Sequence, residues 1–188
     1  MRIVSGIHKG KRIIAPKKLP VRPTTDFAKE ALFNILNNQY HFSALKVIDL
    51  FSGTGNITYE FGSRGAVEII AVDAHFECVK FINKKAEELE LPVRTVKSDV
   101  FKFLQATGET ANIIFADPPY NFEADKLQQI VELTFSRNLL EEGGSLIIEH
   151  RKQVDLSQLD HFTEVRKYGN SVFSFFCKLE YGFTLKKS

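Results

Sequence analysis

The amino-acid sequence predicts an α/β fold in which a mostly parallel sheet is covered by helices on both faces. Between residues 46 and 149, short apolar segments rich in β-branched residues alternate with stretches whose apolar residues recur at helical spacing. The apolar segments are mostly continuous, which is typical of strands buried on both faces. A length of 188 residues and a hydrophobic fraction of 44% suffice for one domain with a sizeable core.

The N-terminal residues predict a short β-hairpin or extended arm, followed by an irregular connector. Isoleucines alternate weakly through the first fourteen residues, and Gly6 and Gly10 supply turn positions. Three prolines exclude a helix between residues 15 and 23. From residue 28, apolar side chains recur every three or four positions, which predicts a helix with Thr24 or Thr25 as its N-cap.

The rest of the chain alternates predicted strands and helices. The strands are expected at residues 46–50, 67–72, 93–97, 112–116 and 145–149. The helices between them are expected at about 56–64, 75–90, 99–106 and 122–139. The tail is aromatic and strand-like at 164–167 and 172–181, with no helix between, which predicts an antiparallel pair at the sheet edge.

The net charge of +2 conceals an uneven distribution of charge. Residues 1–22 carry seven Lys and Arg residues and no acid, a charge of +7, so residues 23–188 sum to −5. A basic segment on an acidic body suits a polyanion such as a nucleic acid, although a solvated basic tail explains the charge equally well.

Composition also restricts the compartment and excludes some classes of site. Two cysteines are too few for a disulfide scaffold, and the five histidines lack metal-ligand spacing, so no metal is expected. The sequence shows no signal peptide and no apolar run long enough to cross a bilayer. We therefore expect a soluble cytoplasmic protein with no membrane partner.

Four acidic residues lie at or just past the carboxyl ends of the first four predicted strands. Ligands bind at this edge in open α/β sheets. A single Asp at such a position is commonly a helix N-cap or a turn residue. Four of them predict one acidic cleft, and they are Asp49, Asp73, Asp99 and Asp117.

The loop after the first strand predicts a nucleoside site. Gly53 and Gly55 permit a tight turn and a close approach of a ligand to the backbone. Thr58 stands where a dinucleotide fingerprint has its third glycine, and Asp49 would repel a pyrophosphate. An acidic loop instead favours the ammonium and sulfonium groups of S-adenosylmethionine. The other loop residues proposed to bind this cofactor are Phe51 and Ser52.

Two further acids complete the predicted cofactor site. Asp73, at the end of the second strand, is expected to accept both ribose hydroxyls. Asp99 is expected to accept from the adenine amino group. The three acids and the loop therefore predict a nucleoside site without a phosphate site.

The tetrapeptide Asp117-Pro118-Pro119-Tyr120 follows the fourth strand directly. In isolation it is equally well a rigid turn. The exocyclic amine of a base is a poor nucleophile because its lone pair is delocalised into the ring. Asp117 and the Pro118 carbonyl would accept hydrogen bonds from the two N–H groups of the amine and hold its lone pair towards an activated sulfonium methyl. Tyr120 would stack on the base. These three residues are the predicted catalytic set.

Several segments together carry a resemblance to a known family. They are residues 22–36 (RPTTDFAKEALFNIL), 49–55 (DLFSGTG) and 117–120 (DPPY), with MRIVSG at 1–6, KGKR at 9–12, KYG at 167–169 and SFF at 174–176. With these segments the chain resembles the RsmD-type family, bacterial enzymes that methylate a guanine N2 in small-subunit ribosomal RNA. The resemblance covers nearly the whole chain in the family's order, and Ser52 and Asn56 depart from the usual residues without removing a proposed ligand contact.

The resemblance implies a class I S-adenosylmethionine-dependent methyltransferase fold with seven strands and an N-terminal β-hairpin extension. Residues 1–22 would form a basic hairpin that reaches RNA, and residues 23–188 the methyltransferase domain. Thr24 would lie near the cofactor, and Arg22 would contact either the cofactor carboxylate or an RNA phosphate. The implied partner is 16S ribosomal RNA in a small subunit or assembly intermediate. The RNA-binding residues would be Lys9, Lys11, Arg12 and Arg22.

Three other functions share some of these features. DNA methyltransferases acting on adenine N6 or cytosine N4 use the same type of tetrapeptide, but this chain lacks room for a separate target-recognition domain. A non-catalytic RNA- and nucleoside-binding module would not need both Asp117 and Tyr120. Methyltransferases of protein glutamine usually begin the tetrapeptide with Asn. A DNA or protein substrate in a methylation assay would select among these alternatives.

Overall fold

The computed structural model describes residues 1–16, 19 and 25–178 and confirms the predicted α/β fold. The strands are β1 (Lys46–Leu50), β2 (Glu68–Asp73), β3 (Val93–Lys97), β4 (Ala111–Ala116), β5 (Leu140–His150), β6 (Phe162–Tyr168) and β7 (Ser171–Cys177). The helices are α1 (Asp26–Gln39), α2 (Asn56–Ser63), α3 (Phe76–Glu88), α4 (Val100–Ala106) and α5 (Ala124–Ser136), with a short 3₁₀ helix at Phe42–Ala44.

The seven strands form one sheet in the order β3-β2-β1-β4-β5-β7-β6. Strands β1 to β5 are mutually parallel, and β7 pairs antiparallel with both β5 and β6, as predicted for the tail. The strand order reverses between β1 and β4. The connections leave these two neighbouring strands in opposite directions, so a crevice opens beyond their carboxyl ends.

Two apolar layers cover the sheet, as continuous apolar strands require. Ile48 and Leu50 of β1 face α4 and α5, whereas Val47 faces the layer that contains α1. Asp49 therefore lies on the α1 face, because side chains alternate along a strand. Helix α1 begins where expected: the Thr25 hydroxyl accepts from the Ala28 amide at 3.2 Å.

The structure corrects several predicted boundaries. Strand β5 begins at Leu140 instead of 145, because Leu140 already pairs with Ala111. The register then shifts across the polar, glycine-containing residues 141–144, which have the sequence character of a loop, before regular pairing resumes at Ser145. Helix α5 is shorter than predicted and ends at Ser136. The last strand ends at Cys177, and the remainder of the predicted range, from 179 onwards, lies outside the described residues.

The N-terminal residues form the predicted hairpin, and it packs on the body of the protein. The Ile3 amide donates to the Lys11 carbonyl and the Ile13 amide to the Met1 carbonyl, both at 3.0 Å. The Ile3 and Ile13 side chains are buried in an apolar cluster with Tyr59 of α2 and residues of α3. The hairpin is therefore held by its own apolar face.

A buried carboxylate, Glu60 of α2, holds the same hairpin through its backbone. Its two oxygens accept from the Val4 amide at 2.8 Å and the Ser5 amide at 3.0 Å. The Lys29 ammonium lies 3.3 Å from Glu60 and donates to the Arg2 carbonyl at 2.6 Å. Burial lowers the pKa of Lys29, and the Glu60 charge opposes that shift. Glu60 and Lys29 thus connect α1, α2 and the hairpin.

Candidate active site

The strand order brings the four predicted acids to one edge of the sheet. Their strands are neighbours in the order β3-β2-β1-β4, so Asp99, Asp73, Asp49 and Asp117 follow one another along the carboxyl-terminal edge. Leu50 of β1 pairs with Ala116 of β4. The glycine loop and the tetrapeptide therefore start from adjacent points, and the Asp117 amide donates to the Leu50 carbonyl at 3.5 Å.

Asp73 supports the glycine loop. Its Oδ2 accepts from the Gly53 amide and its Oδ1 from the His75 amide, each at 2.8 Å. The Ser52 hydroxyl donates to the Val72 carbonyl at 3.2 Å, which fastens the loop to the end of β2. A carboxylate oxygen has a second lone pair, so both oxygens of Asp73 can still accept from ribose hydroxyls.

The loop between β1 and α2 adopts left-handed backbone conformations. Phe51 has φ +58°, and Gly55, the N-cap of α2, has φ +81°. A Cβ at Gly55 would lie 2.7 Å from the Tyr59 ring. Glycine at position 55 therefore fits both the left-handed backbone and the close approach of the Tyr59 ring beneath the loop, in addition to any role in admitting a ligand.

Asp49 is buried and carries a proton more readily than an ordinary aspartate. Desolvation, with the nearby Asp73 charge, raises the pKa of Asp49 to about 7, although the Thr58 hydroxyl donates a short hydrogen bond to its Oδ2. A cationic ligand group beside Asp49 would favour the ionised form. From the sequence, Thr58 was noted only because it stands where a dinucleotide fingerprint has glycine. Its contact with Asp49 depends on how α2 packs on β1, which no local pattern encodes.

Asp99 is the N-cap of α4, where its Oδ1 accepts from the Lys102 amide at 3.0 Å. Its side chain is exposed, which leaves it accessible to an adenine amine. Beside it lies an aromatic cluster that sequence reasoning identified only in part. Phe122 contacts Phe51 edge-on at 5.4 Å between ring centroids and stacks with Phe101 at 6.2 Å. The cluster connects the loop after β1, α4 and the segment after the tetrapeptide.

The last three residues of the tetrapeptide line a small pocket between β4, β5 and α5. Asp117 and Tyr120 are half-buried, Pro118 is buried and Pro119 is exposed. The Phe122 amide donates to the Pro119 carbonyl at 2.9 Å, so the segment turns back tightly after β4. The pocket lining includes Pro118, Pro119, Tyr120, Phe122, Glu149 and His150.

The predicted RNA-binding residues are only partly described. Lys9, Lys11 and Arg12 are exposed on the hairpin. The tip of the hairpin contacts Ser63 and Leu89, at the ends of α2 and α3 that lie away from the glycine loop, whereas Met1 lies near Thr54 of that loop. With α2 about 12 Å long, the tip cations lie away from the acidic edge. Arg22 and Thr24 lie outside the described residues.

Two kinds of feature are absent from the described residues: a helix that could span a membrane and a cluster of metal ligands. None of the helices in residues 1–16, 19 and 25–178 combines the length and apolarity required to span a bilayer. Within the same residues, no three His, Cys, Asp or Glu side chains come together as a metal site.

This strand order, with a glycine loop after β1 and the tetrapeptide after β4, is the fold of class I methyltransferases. Among solved structures, yhhF of Escherichia coli, provisionally named a methyltransferase, matches with a TM-score of 0.83 and 22% identity over 95% of this chain and 97% of its own. A 16S rRNA N2 G1207 methyltransferase of Thermus thermophilus, in complex with AdoMet and guanosine, matches with a TM-score of 0.69 and 22% identity over 86% of this chain and 45% of its own.

The chain belongs to the family described as Conserved hypothetical protein 95, whose model matches residues 1–177. It is 32% identical to YlbH of Bacillus subtilis, provisionally named an rRNA methyltransferase, over 84% of this chain and 86% of the relative. It is 31% identical to ribosomal RNA small subunit methyltransferase D of Escherichia coli (strain K12), over 79% of this chain and 71% of the relative. These matches confirm the resemblance stated from the sequence.

Proposed function

We propose that this chain transfers the methyl group of S-adenosylmethionine to the exocyclic N2 amine of a guanine in 16S ribosomal RNA. The observation that carries the proposal is the adjacency of two sites. Leu50 and Ala116 pair side by side, so the loop that suits a cationic nucleoside and the tetrapeptide that suits a base amine leave the sheet from neighbouring points. Methyl transfer requires this proximity of donor and acceptor.

The residues of the loop fit the cofactor. Asp49 is a buried carboxyl with a raised pKa, which a cationic group beside it would lower again. The Asp73 oxygens face the same carboxyl-terminal edge of the sheet. Phe51, Ser52, Gly53, Gly55 and Asp99 would complete the site, with Thr24 as a further proposed contact. When bound, S-adenosylmethionine supplies a methyl group that is already activated by its sulfonium.

The tetrapeptide positions the acceptor. Asp117 and the Pro118 carbonyl accept hydrogen bonds from the two N–H groups of the guanine amine. These bonds direct the lone pair of the amine nitrogen towards the cofactor. Tyr120 stacks on the base. The guanine must leave its stack to reach these groups. Because the methyl group is activated beforehand, the main contribution of these residues is orientation.

The relatives support ribosomal RNA as the substrate, and we propose that it is modified in a small ribosomal subunit or an assembly intermediate. One is named for small-subunit ribosomal RNA, and the Thermus thermophilus structure contains AdoMet and guanosine. Lys9, Lys11, Arg12 and Arg22 would bind phosphates. The tip cations would contact nucleotides distant from the target, because the tip lies by the far ends of α2 and α3.

Mapping of methylated nucleotides in ribosomal RNA from cells with and without this protein tests the substrate. With purified protein, Asp117→Ala should retain cofactor affinity in calorimetry but lose methyl transfer by at least about 100-fold, since it removes an acceptor for the amine. Asp125→Ala, an exposed residue of α5, is the matched control. Turnover at the wild-type rate in Asp117→Ala, or methylation of DNA or protein instead of RNA, would contradict the proposal.

A further inference from the structure

A second carboxylate lies beside the tetrapeptide at the end of β5. Strands β4 and β5 are parallel, and Ala116 pairs with Ile148. The next position in this register pairs Asp117 with Glu149. Neighbouring strands are about 4.8 Å apart, and paired positions share a face of the sheet. Glu149 is 2% exposed and, like Ile147 two positions before it, lies on the face of the sheet that α1 covers, which is also the face of Asp49.

The neighbouring residue on β5, His150, lies on the opposite face of the sheet from Glu149, with Ile148 and the layer that contains α4 and α5. One of its ring nitrogens, Nδ1, lies 2.9 Å from the Arg151 carbonyl, which can only accept, so Nδ1 carries the proton. The other nitrogen, Nε2, then accepts from the Ser174 hydroxyl at 2.7 Å. Burial lowers the pKa of His150, which agrees with this neutral form. His150 therefore holds the end of β5 on β7, and Glu149 is the ionisable side chain at the register position beside Asp117.

The chemistry of guanine matches two neighbouring acceptor positions. Guanine carries its N1–H donor directly beside the N2 amine. Adenine N1 and cytosine N3, at the corresponding position beside their amines, are acceptors. A carboxylate next to Asp117 would accept from guanine N1–H and would repel the lone pair of adenine N1 or cytosine N3.

We propose that Glu149 accepts the N1–H of the target guanine and so makes the acceptor site beside Asp117 select guanine over adenine and cytosine. This inference rests on the proposed function. Asp117 and Pro118 hold the amine that reacts, whereas Glu149 reads the neighbouring ring nitrogen. A site that sets a buried acceptor against a substrate N–H rejects analogues that present a lone pair or a methyl group at that position, because neither can donate to it.

Nucleosides that separate the two donors test the wild-type protein directly. The 2-aminopurine riboside carries the amine at C2 but has an unprotonated N1, and 1-methylguanosine blocks N1. Guanosine should inhibit methylation of ribosomal RNA at concentrations at least about tenfold lower than either analogue. Equal inhibition by the three nucleosides, including no inhibition by any of them up to their solubility, would overturn the proposal.

Substitution of Glu149 gives a second, independent measurement. In Glu149→Gln the amide can donate to N1 of 2-aminopurine, so binding of that fluorescent riboside to the cofactor-loaded protein should strengthen relative to wild type. The kcat/KM for ribosomal RNA should fall about 10- to 100-fold, with unchanged cofactor affinity in calorimetry. Glu142→Gln, exposed on the same strand, is the matched control.

The outcomes separate the two proposals. Absence of RNA methylation by the wild type and by Glu142→Gln would contradict the proposed function. Methylation of guanine by all three proteins, with the same nucleoside preference and the same kcat/KM in Glu149→Gln, would leave the proposed function intact and overturn the role of Glu149.

Discussion

Replacement of Gly6 by alanine should detach the tip of the N-terminal hairpin from α2. Gly6 has φ +84°, and a Cβ there would lie 1.8 Å from the Ser63 carbonyl oxygen and 2.2 Å from its carbon. Both are backbone atoms at the end of a buried helix, so they cannot give way by a rotamer change. The hairpin must move instead.

The sequence contains its own control for this substitution. Gly10 also has φ +84°, but a Cβ there would meet nothing within 4 Å. Gly10→Ala should therefore cost only the left-handed conformation, about 1 kcal/mol. Gly6→Ala should in addition lose the three hydrogen bonds that join the tip to Ser63, at about 1 kcal/mol each. These join the Ile7 amide to the Ser63 carbonyl, the His8 amide to the Ser63 hydroxyl, and that hydroxyl to the Ser5 carbonyl.

Urea unfolding measures the difference, which we expect to be about 3 kcal/mol between the two variants. Hydrogen exchange at the Ile7 and His8 amides should show loss of protection in Gly6→Ala and little change in Gly10→Ala. If the hairpin binds RNA as proposed, only Gly6→Ala should weaken RNA binding markedly. Equal free energies of unfolding for the two variants would refute the steric reasoning.

Three further predictions concern charged residues. The raised pKa of Asp49 means that the folded state binds a proton that the unfolded state has released, so folding stability should fall between about pH 4 and pH 7. In Asp49→Asn, urea unfolding at several pH values should show that the free energy of unfolding no longer falls over this range. The substitution should also remove any rise in cofactor affinity towards pH 7 that ionisation of Asp49 causes. If the free energy of unfolding kept the same dependence on pH, Asp49 would be excluded as its source. Glu60→Gln should destabilise the fold by about 3 kcal/mol, because Lys29 stays buried without its counter-charge, and Lys29→Met should restore part of the loss; additive effects of the two substitutions would show that they do not interact. Neutralising the exposed cations of the hairpin should reduce the slope of RNA affinity against salt by up to about 2, and a constant slope would mean that RNA does not contact Lys9, Lys11 and Arg12.

Much of the fold was predictable because buried strands and helix faces produce local patterns of apolar residues in the sequence. Strand β1 begins and ends where a continuous apolar run predicted it, strand β3 begins and ends where a segment rich in β-branched residues predicted it, and Thr25 caps α1 as its position before the helical pattern suggested. Strand β5 was predicted too short, because residues 141–144 extend it through polar and glycine residues that resemble a loop. Leu140 already pairs with Ala111, and these irregular residues connect it to the regular pairing that starts at Ser145.

The candidate site was predictable where a residue follows a strand directly. Asp73 and Asp117 were located by their positions at strand ends, which the structure brings to one edge. The contact between Thr58 and Asp49 was not predictable, since it joins a helix to a strand through packing. The proximity of Glu149 to Asp117 was also missed, because Glu149 is an ordinary last residue of an apolar run until β5 is placed beside β4.

The sequence by itself determined the alternation of strands and helices, the glycine loop, the tetrapeptide and a basic N-terminal hairpin, because each depends on residues close together in the chain. Only the tertiary structure decided that the hairpin lies along α2 with its tip away from the glycine loop, and that Glu60 and Lys29 hold it there. It also decided that two carboxylates at the ends of β4 and β5 are neighbours. Such contacts depend on which distant segments pack together. Hydrophobic periodicity indicates that a face is buried but does not indicate which segment covers it.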